Sequence, residues 1–284
     1  MTRILLVLLG LLLPALAQAA DLKIATWNLN WLTTRAPGDP ALPSDVTPRQ
    51  PEDFDRLRSY AQQLDADVIA IQEVDGRAVA ERLFPPDRYS IHMSRDHVLQ
   101  RVGIAVRRGL HYDVHPDVTA IAGEASAHLR SGVDITLDLP NAPLRLLAVH
   151  LKTGCPDQAP RKAASRACVE LKEQIVPLRD WIAERQGEGT AFIVLGDFNR
   201  RMDGRDPFLA ALRQVAPLAR ATEGHSSPCW GNEGFIDHIL AGGAARDWMR
   251  PDTLRVLTYQ ETGKAWKDRL SDHCPVSVHF VIPE

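Results

Sequence analysis

Aromatic residues make up only 6% of this 284-residue chain, and they form no cluster of the kind that presses into a membrane. Cysteine occurs four times, an even number that suits an oxidising compartment but is too few for a disulfide scaffold. Charge of neither sign dominates: the formal net charge is −3, and loss of Arg3 with a leader peptide would make it −4. A polyanionic partner would therefore have to be drawn by a local basic patch, because the molecule as a whole does not attract one. No short-period repeat, low-complexity tract or interdomain linker interrupts the chain, and after the N-terminus no apolar run is long enough to span a bilayer.

One apolar run stands apart. Arg3 precedes Ile4 to Leu13, Pro14 follows, and Ala17-Gln18-Ala19 supplies a small-x-small cleavage site. This pattern predicts a signal peptide over residues 1–19, cut near Ala19 or Ala20, and a single domain over 20–284. The expected product is secreted or periplasmic, with no stable membrane association. Cys155 and Cys168 flank a short polar loop and a helix start, which favours pairing them and leaves Cys229 for Cys274; four cysteines permit three connectivities, and spacing does not choose among them.

Short apolar runs rich in β-branched residues predict strands at Leu22–Asn28, Val68–Glu73, Tyr89–Met93, Val102–Val106, Val133–Leu139, Leu144–His150, Phe192–Leu195, Phe235–Leu240, Arg255–Tyr259 and Pro275–Val281. Pro140-Asn141-Ala142-Pro143 makes a hairpin of two of them, so part of the sheet must be antiparallel. Helical spacing predicts helices at Pro51–Leu64, at Arg77–Leu83, from Ala163 to about Gln186 with Pro177 as a kink, and near Asp206–Arg213. Interleaved helices and strands imply sheets sandwiched between helical layers.

The strand ends carry the chemistry. Phe192-Ile193-Val194-Leu195 runs into Gly196-Asp197-Phe198-Asn199, where Gly196 lets the backbone turn and places a carboxylate and a carboxamide together. Taken alone, that is a strand followed by an Asx-turn. Asn28, Glu73, His150, Asp237, Asp272 and His273 end other strands in the same manner, and such ends on one sheet edge converge on a cleft. Oxygen donors suit a hard cation, and two histidines beside carboxylates suit proton transfer.

Trp27-Asn28, Gln72-Glu73, Gly196-Asp197-Phe198-Asn199, Ile236-Asp237-His238 and Ser271-Asp272-His273-Cys274-Pro275 resemble the ordered motifs of the endonuclease/exonuclease/phosphatase superfamily, relatives of deoxyribonuclease I. The resemblance covers Leu22 to Val281 and implies a four-layer α/β/β/α sandwich of two mixed sheets that cleaves phosphate esters with a divalent metal. By position, Glu73, Asn28 and Asp272 would bind Mg²⁺, with Mn²⁺ or Ca²⁺ as substitutes. His273 would be the general base oriented by Asp237; Asp197 and Asn199 would hold the phosphate or a second ion, and His150 would donate to it. Arg130, Lys152 and Arg200 would contact substrate, with Lys152 directed into the cleft beside His150. The glutamate that supports the second histidine in deoxyribonuclease I has its nearest counterpart at about Gln100.

The expectation is a monomeric nuclease, with Lys152, Arg161, Lys162, Arg166, Arg200, Arg201 and Arg205 as candidate backbone contacts. A phosphatase or phosphodiesterase acting on a lipid head group or small phosphate ester ranks second, because lipid-cleaving relatives carry an aromatic hairpin and this chain has none. A non-catalytic binding module ranks third, since binding has no need of two histidines and Glu73 together. The other histidines, His238 among them, read as surface or packed residues.

Overall fold

A computed structural model describes residues 20–123, 129–140, 142–157, 165–231 and 234–283. The predicted leader lies outside the described residues, as do Arg161, Lys162 and the first two residues of the predicted third helix. Two six-stranded sheets form the centre. The first contains β1 (Ala20–Leu32), β2 (Val68–Val74), β3 (Tyr89–Met93), β4 (Arg101–Arg107), β11 (Met249–Val256) and β12 (Val276–Ile282), in the order β11-β12-β1-β2-β4-β3. The second contains β5 (His111–Val114), β6 (Val133–Asp138), β7 (Leu144–His150), β8 (Ala191–Asp197), β9 (Leu218–Arg220) and β10 (Asp237–Gly242), in the order β5-β6-β7-β8-β10-β9. Each sheet has one parallel pair, β1 with β2 and β7 with β8, and is otherwise antiparallel. The β6–β7 hairpin is the one that the Pro-Asn-Ala-Pro turn predicts.

Strand periodicity explains the layers. In the inner strands both faces are apolar, so alternate residues enter two different cores. Ile24, Val68, Ala70 and Ile104 of the first sheet meet Ile135, Leu146, Ile193 and Ile239 of the second in a core between the sheets. Their odd-numbered or even-numbered neighbours face outward. Trp27, Ile69 and Ile71 pack under α1 (Pro51–Leu64) through Phe54 and Leu57. Leu147, Phe192 and Val194 pack under α3 (Arg166–Gly187) and α4 (Pro207–Arg213) through Leu178, Ile182 and Phe208. Fully burying each such side chain contributes roughly 1.5–3 kcal/mol, so the three cores outweigh any single polar contact in fixing the fold.

The element expectations differ from the structure in few places. The strand predicted at Arg255–Tyr259 is instead Met249–Val256: pairing ends at Val256 with Val276, and the chain then leaves the sheet to bury Tyr259. The second helix, α2 (Arg77–Ala80), is shorter than predicted, and α3 runs through Pro177 as one element. β5, β9, α5 (Ala245–Trp248) and α6 (Lys264–Arg269) are short and carry no clear periodicity. Both favoured disulfides form, Cys155–Cys168 and Cys229–Cys274.

Candidate active site

The inter-sheet core is capped at one edge by polar side chains, and strand parity puts them there. Thr26 and Asn28 continue the inward series of Ile24, His150 that of Leu146 and Ala148, Asp197 that of Ile193 and Leu195, and Asp237 that of Ile239. Register aligns three of them across the second sheet: His150 lies opposite Asp197 on the parallel neighbour, and Asp237 opposite Asp197 on the antiparallel one. At Gly196, φ is +144°, and an added Cβ would run into the carbonyl of Val149. Only glycine lets β7 and β8 approach closely enough to juxtapose His150 and Asp197.

Glu73 breaks the parity. Continuing β2 would send it outward with Ile69 and Ile71, but its φ is +60°, a left-handed conformation that is costly for a residue with a side chain. The turn brings its carboxylate round to Asn28, whose Nδ2 donates to Glu73 Oε1 at 3.1 Å and to Asp197 Oδ2 at 2.9 Å. A matching irregularity ends β1, where left-handed Asn30 and Trp31 turn the Trp31 N–H onto Glu73 Oε2 at 3.1 Å. Asn28 Oδ1 accepts from the Asn30 N–H, so in this arrangement Asn28 bridges the two carboxylates through its NH₂ rather than presenting an oxygen.

Glu73, His150 and Asp197 form one cluster with ligand atoms all within 4.8 Å of one another, and Asp197, Asp237 and His273 form a second. The first offers two carboxylates, each 3.5 Å from His150 Nε2. Burial, with Asp237 adding repulsion, raises the Asp197 carboxyl to about 7. A hard divalent cation is the partner that such a donor set fits. Asp272, expected as a further metal ligand, belongs to neither cluster among the described residues. Its side chain is 54% exposed at the rim, with Oδ1 3.9 Å from His273 Nε2.

His273 donates through Nδ1–H to Asp237 Oδ2 at 2.7 Å, and its Nε2 lies 3.8 Å from Asp197 Oδ2. Burial opposes its protonation, but the carboxylates of Asp237 and Asp197 overcome that and hold the imidazole well above its ordinary value. The loop that carries it is pinned from several directions. Ser271 Oγ donates to the Asn28 carbonyl and accepts from the His273 N–H, Tyr259 donates its hydroxyl to the His273 carbonyl, and Arg49 donates to the Leu270 carbonyl. Cys274, the next residue, is tied to Cys229.

On the other side, Arg130 is buried with Nη2 against the His150 ring, 2.6 Å from Nδ1. Burial, then the Arg130 guanidinium, then His273 keep His150 neutral, well below its ordinary value. Ser131 anchors the approach through its N–H and hydroxyl to Asp96. Gln100, which stands where deoxyribonuclease I has the supporting glutamate, donates through Nε2 to Glu73 Oε2, and His150 is held by Arg130 instead.

Two of the expected substrate contacts are placed elsewhere. Arg200 is 1% exposed, pairs with Asp206 and donates to the Cys155 carbonyl, so it braces the turn after β8 instead of reaching the cleft. Lys152 pairs with Glu170 at 3.3 Å, because α3 offers a carboxylate beside it, and Arg166 shares that glutamate. Asn199 lines the cleft but spends its NH₂ on the Leu151 carbonyl and Asp197, holding the acid in place. Sequence reading missed Ser271, Tyr259 and Lys267; only Ser271 had a visible signal, standing beside Asp272-His273 in the last motif.

A cleft of about 400 Å³ opens beside His273, lined by Asn199, Arg201, Trp230, Lys267, Asp237 and Asp272 among others. The family model described as the Endonuclease/Exonuclease/phosphatase family matches residues 25–273. Solved structures share the fold at low identity. A truncated Caenorhabditis elegans TDP2 is 16% identical with a TM-score of 0.60, covering 92% of this chain and 98% of its own. The 3'-5' exonuclease NExo from Neisseria meningitidis is 18% identical with a TM-score of 0.61, covering 91% of this chain and 99% of its own. D. rerio TDP2, solved with a single-strand DNA product, is 17% identical with a TM-score of 0.59, covering 92% and 99%. No curated protein sequence matches the chain. With the family match spanning nearly all the described residues and the acid-histidine clusters at the shared strand edge, the chain belongs to the Endonuclease/Exonuclease/phosphatase family and is a metal-dependent phosphoric ester hydrolase.

Proposed function

We propose that the protein is an exported, monomeric phosphodiesterase that hydrolyses nucleic acid with a histidine-activated water and Mg²⁺ as its working ion. The observation that carries this reading is the pairing of Asp237 with His273 on one flank of the half-buried Glu73 and buried Asp197 carboxylates, with Arg130 and neutral His150 on the other. A phosphodiester is an anion that repels nucleophiles, so its hydrolysis needs neutral or positive groups on the phosphate oxygens and an aligned water. A divalent ion held by Glu73 and Asp197, with Asn28 bridging, would supply Lewis-acid stabilisation of the phosphate charge.

The protein's own groups do the rest. Asp237 holds His273 by Nδ1 and leaves Nε2 directed to the cleft, where the ring in its neutral form, reached once a cation offsets the Asp197 charge that favours its protonation, would take a proton from the attacking water. The same carboxylate steadies the imidazolium that results. Arg130 and His150 face the opposite flank, where hydrogen bonds to a non-bridging phosphate oxygen would stabilise the charge that grows as water adds. Asn199 fixes Asp197 through both its N–H and its NH₂. Export rests on the leader predicted over 1–19 and is supported by two disulfides; among the described residues no helix is long and apolar enough to cross a membrane.

Purified protein would be tested against plasmid DNA, RNA, sphingomyelin and a chromogenic phosphodiester, each with and without Mg²⁺. The expected result is Mg²⁺-dependent cleavage of nucleic acid that EDTA abolishes. Turnover of sphingomyelin or the small diester with nucleic acid untouched would replace the nuclease reading with the lipid or small-ester one.

A further inference from the structure

The cleft is larger than one phosphate requires; about 400 Å³ falls in the range that holds a nucleotide-sized ligand. Two of its lining residues have no part in the chemistry described above. Trp230 stands in a left-handed conformation, φ +45°, between the disulfide at Cys229 and the cleft. Its ring is fixed by Nε1–H donating to the Ser271 carbonyl at 2.9 Å and by stacking on Tyr259, centroids 5.4 Å apart at 27°. A strained, pinned indole at a cleft wall is a preorganised flat surface.

Lys267, on α6, has its Nζ 5.6 Å from the centroid of the Trp230 ring and also lines the cleft. No carboxylate of a described residue pairs with it, whereas Arg201 on the opposite wall pairs with Asp157. An ammonium left without a carboxylate partner beside an aromatic face is matched by a second anionic group next to a flat ring. A nucleotide flanking the scissile bond has both: a phosphate for the ammonium and a base for the indole.

Resting on the nuclease reading, we propose that Lys267 and Trp230 form a subsite for the nucleotide adjacent to the bond that is cut, Lys267 on its phosphate and Trp230 against its base. The substrate is then single-stranded or locally unpaired there, since a base inside a duplex stack has no free face for the indole.

The test compares Lys267→Met and Trp230→Leu with the wild type on a short single-stranded oligonucleotide and on bis(p-nitrophenyl) phosphate, which has a single phosphate. The ratio of kcat/KM between oligonucleotide and small diester should fall about tenfold for Lys267→Met, chiefly through KM. Its dependence of log KM on log salt should flatten by about 0.7, the value of one phosphate contact on a single strand. Lys267→Arg should restore both. Trp230→Leu should lower the ratio about tenfold on the normal oligonucleotide and much less on one with an abasic site at the flanking position. Wild-type ratio and salt slope in Lys267→Met, with the oligonucleotide cleaved, would overturn the subsite and leave the nuclease reading standing. A wild-type protein that cleaves the small diester but no oligonucleotide would overturn both.

Discussion

His273 and His150 flank the same buried carboxylates, yet their surroundings push their proton affinities in opposite directions. His273 has Asp237 at 2.7 Å and Asp197 behind, and is held well above the usual imidazole value in spite of its burial. His150 is deeper still, 2% exposed against 11%, but meets a guanidinium, and is held well below it. Environments that drive two like groups apart mark which one accepts a proton and which stays neutral. The difference lies in their partners, an acid in β10 and an arginine before β6, rather than in the histidines themselves.

The comparison can be broken at its shared centre first. Glu73→Gln removes the acid that Asn28 bridges to Asp197, the carboxylate both histidines face, and should lower kcat/KM by about 10³-fold or more with the far-UV circular dichroism unchanged. His273→Ala should cost about 10²- to 10⁴-fold in kcat, and adding Asp237→Asn should cost little more, because the pair acts as a unit. A full additive loss in the double variant would show that Asp237 works elsewhere.

A second contrast, between two buried arginines, sharpens the first. Arg200→Met leaves Asp206 as an unpaired buried charge and should destabilise the fold by about 3–5 kcal/mol in urea unfolding, while the folded fraction turns over normally. Arg130 belongs to the site, and a stability loss without an activity loss in Arg130→Met would dissolve that distinction. His150→Gln keeps a neutral donor and should lose only about tenfold in kcat. If it equals His273→Ala, the two histidines have equivalent roles after all.

His238 gives the smallest and most graded effect. It is buried, with Nδ1 at 2.7 Å from Thr222 Oγ1 and Nε2 at 2.9 Å from the Arg200 carbonyl, and burial lowers it to about 3. Between pH 6.5 and about 3 the unfolded chain binds a proton there that the folded chain refuses. Stability should therefore fall with falling pH across that window by up to ~1.4 kcal/mol per pH unit from this group, and His238→Gln should flatten the slope measured by urea titration at several pH values.

Much of this arrangement was legible in the sequence. Asn28, His150, Asp197, Asp237 and His273 were legible as polar residues at the ends of strongly apolar strands, and the family motifs gave them their roles. Glu73 was named from its motif, but its left-handed backbone, which turns it inward against the alternation, leaves no trace in residue type. The misplaced residues share a cause: Lys152 and Arg200 sit beside the motifs along the chain, yet Glu170 and Asp206 arrive from other elements and claim them. Lys267 escaped notice because α6 is a short polar helix without periodicity whose pocket wall exists only in three dimensions, and Tyr259 because it was read as the end of a strand, whereas the chain leaves the sheet to place its hydroxyl on the His273 carbonyl.

β1 begins the described fold, yet it is inserted between β2 and β12, with Ala20 paired to Ile282. The ring that would take the proton from water sits just before β12, on the loop whose Ser271 reaches back to the carbonyl of Asn28. Docking of β12 beside β1 and seating of the His273 loop are therefore one event, so a variant that weakens the β1–β12 pairing should also displace His273 from Asp237.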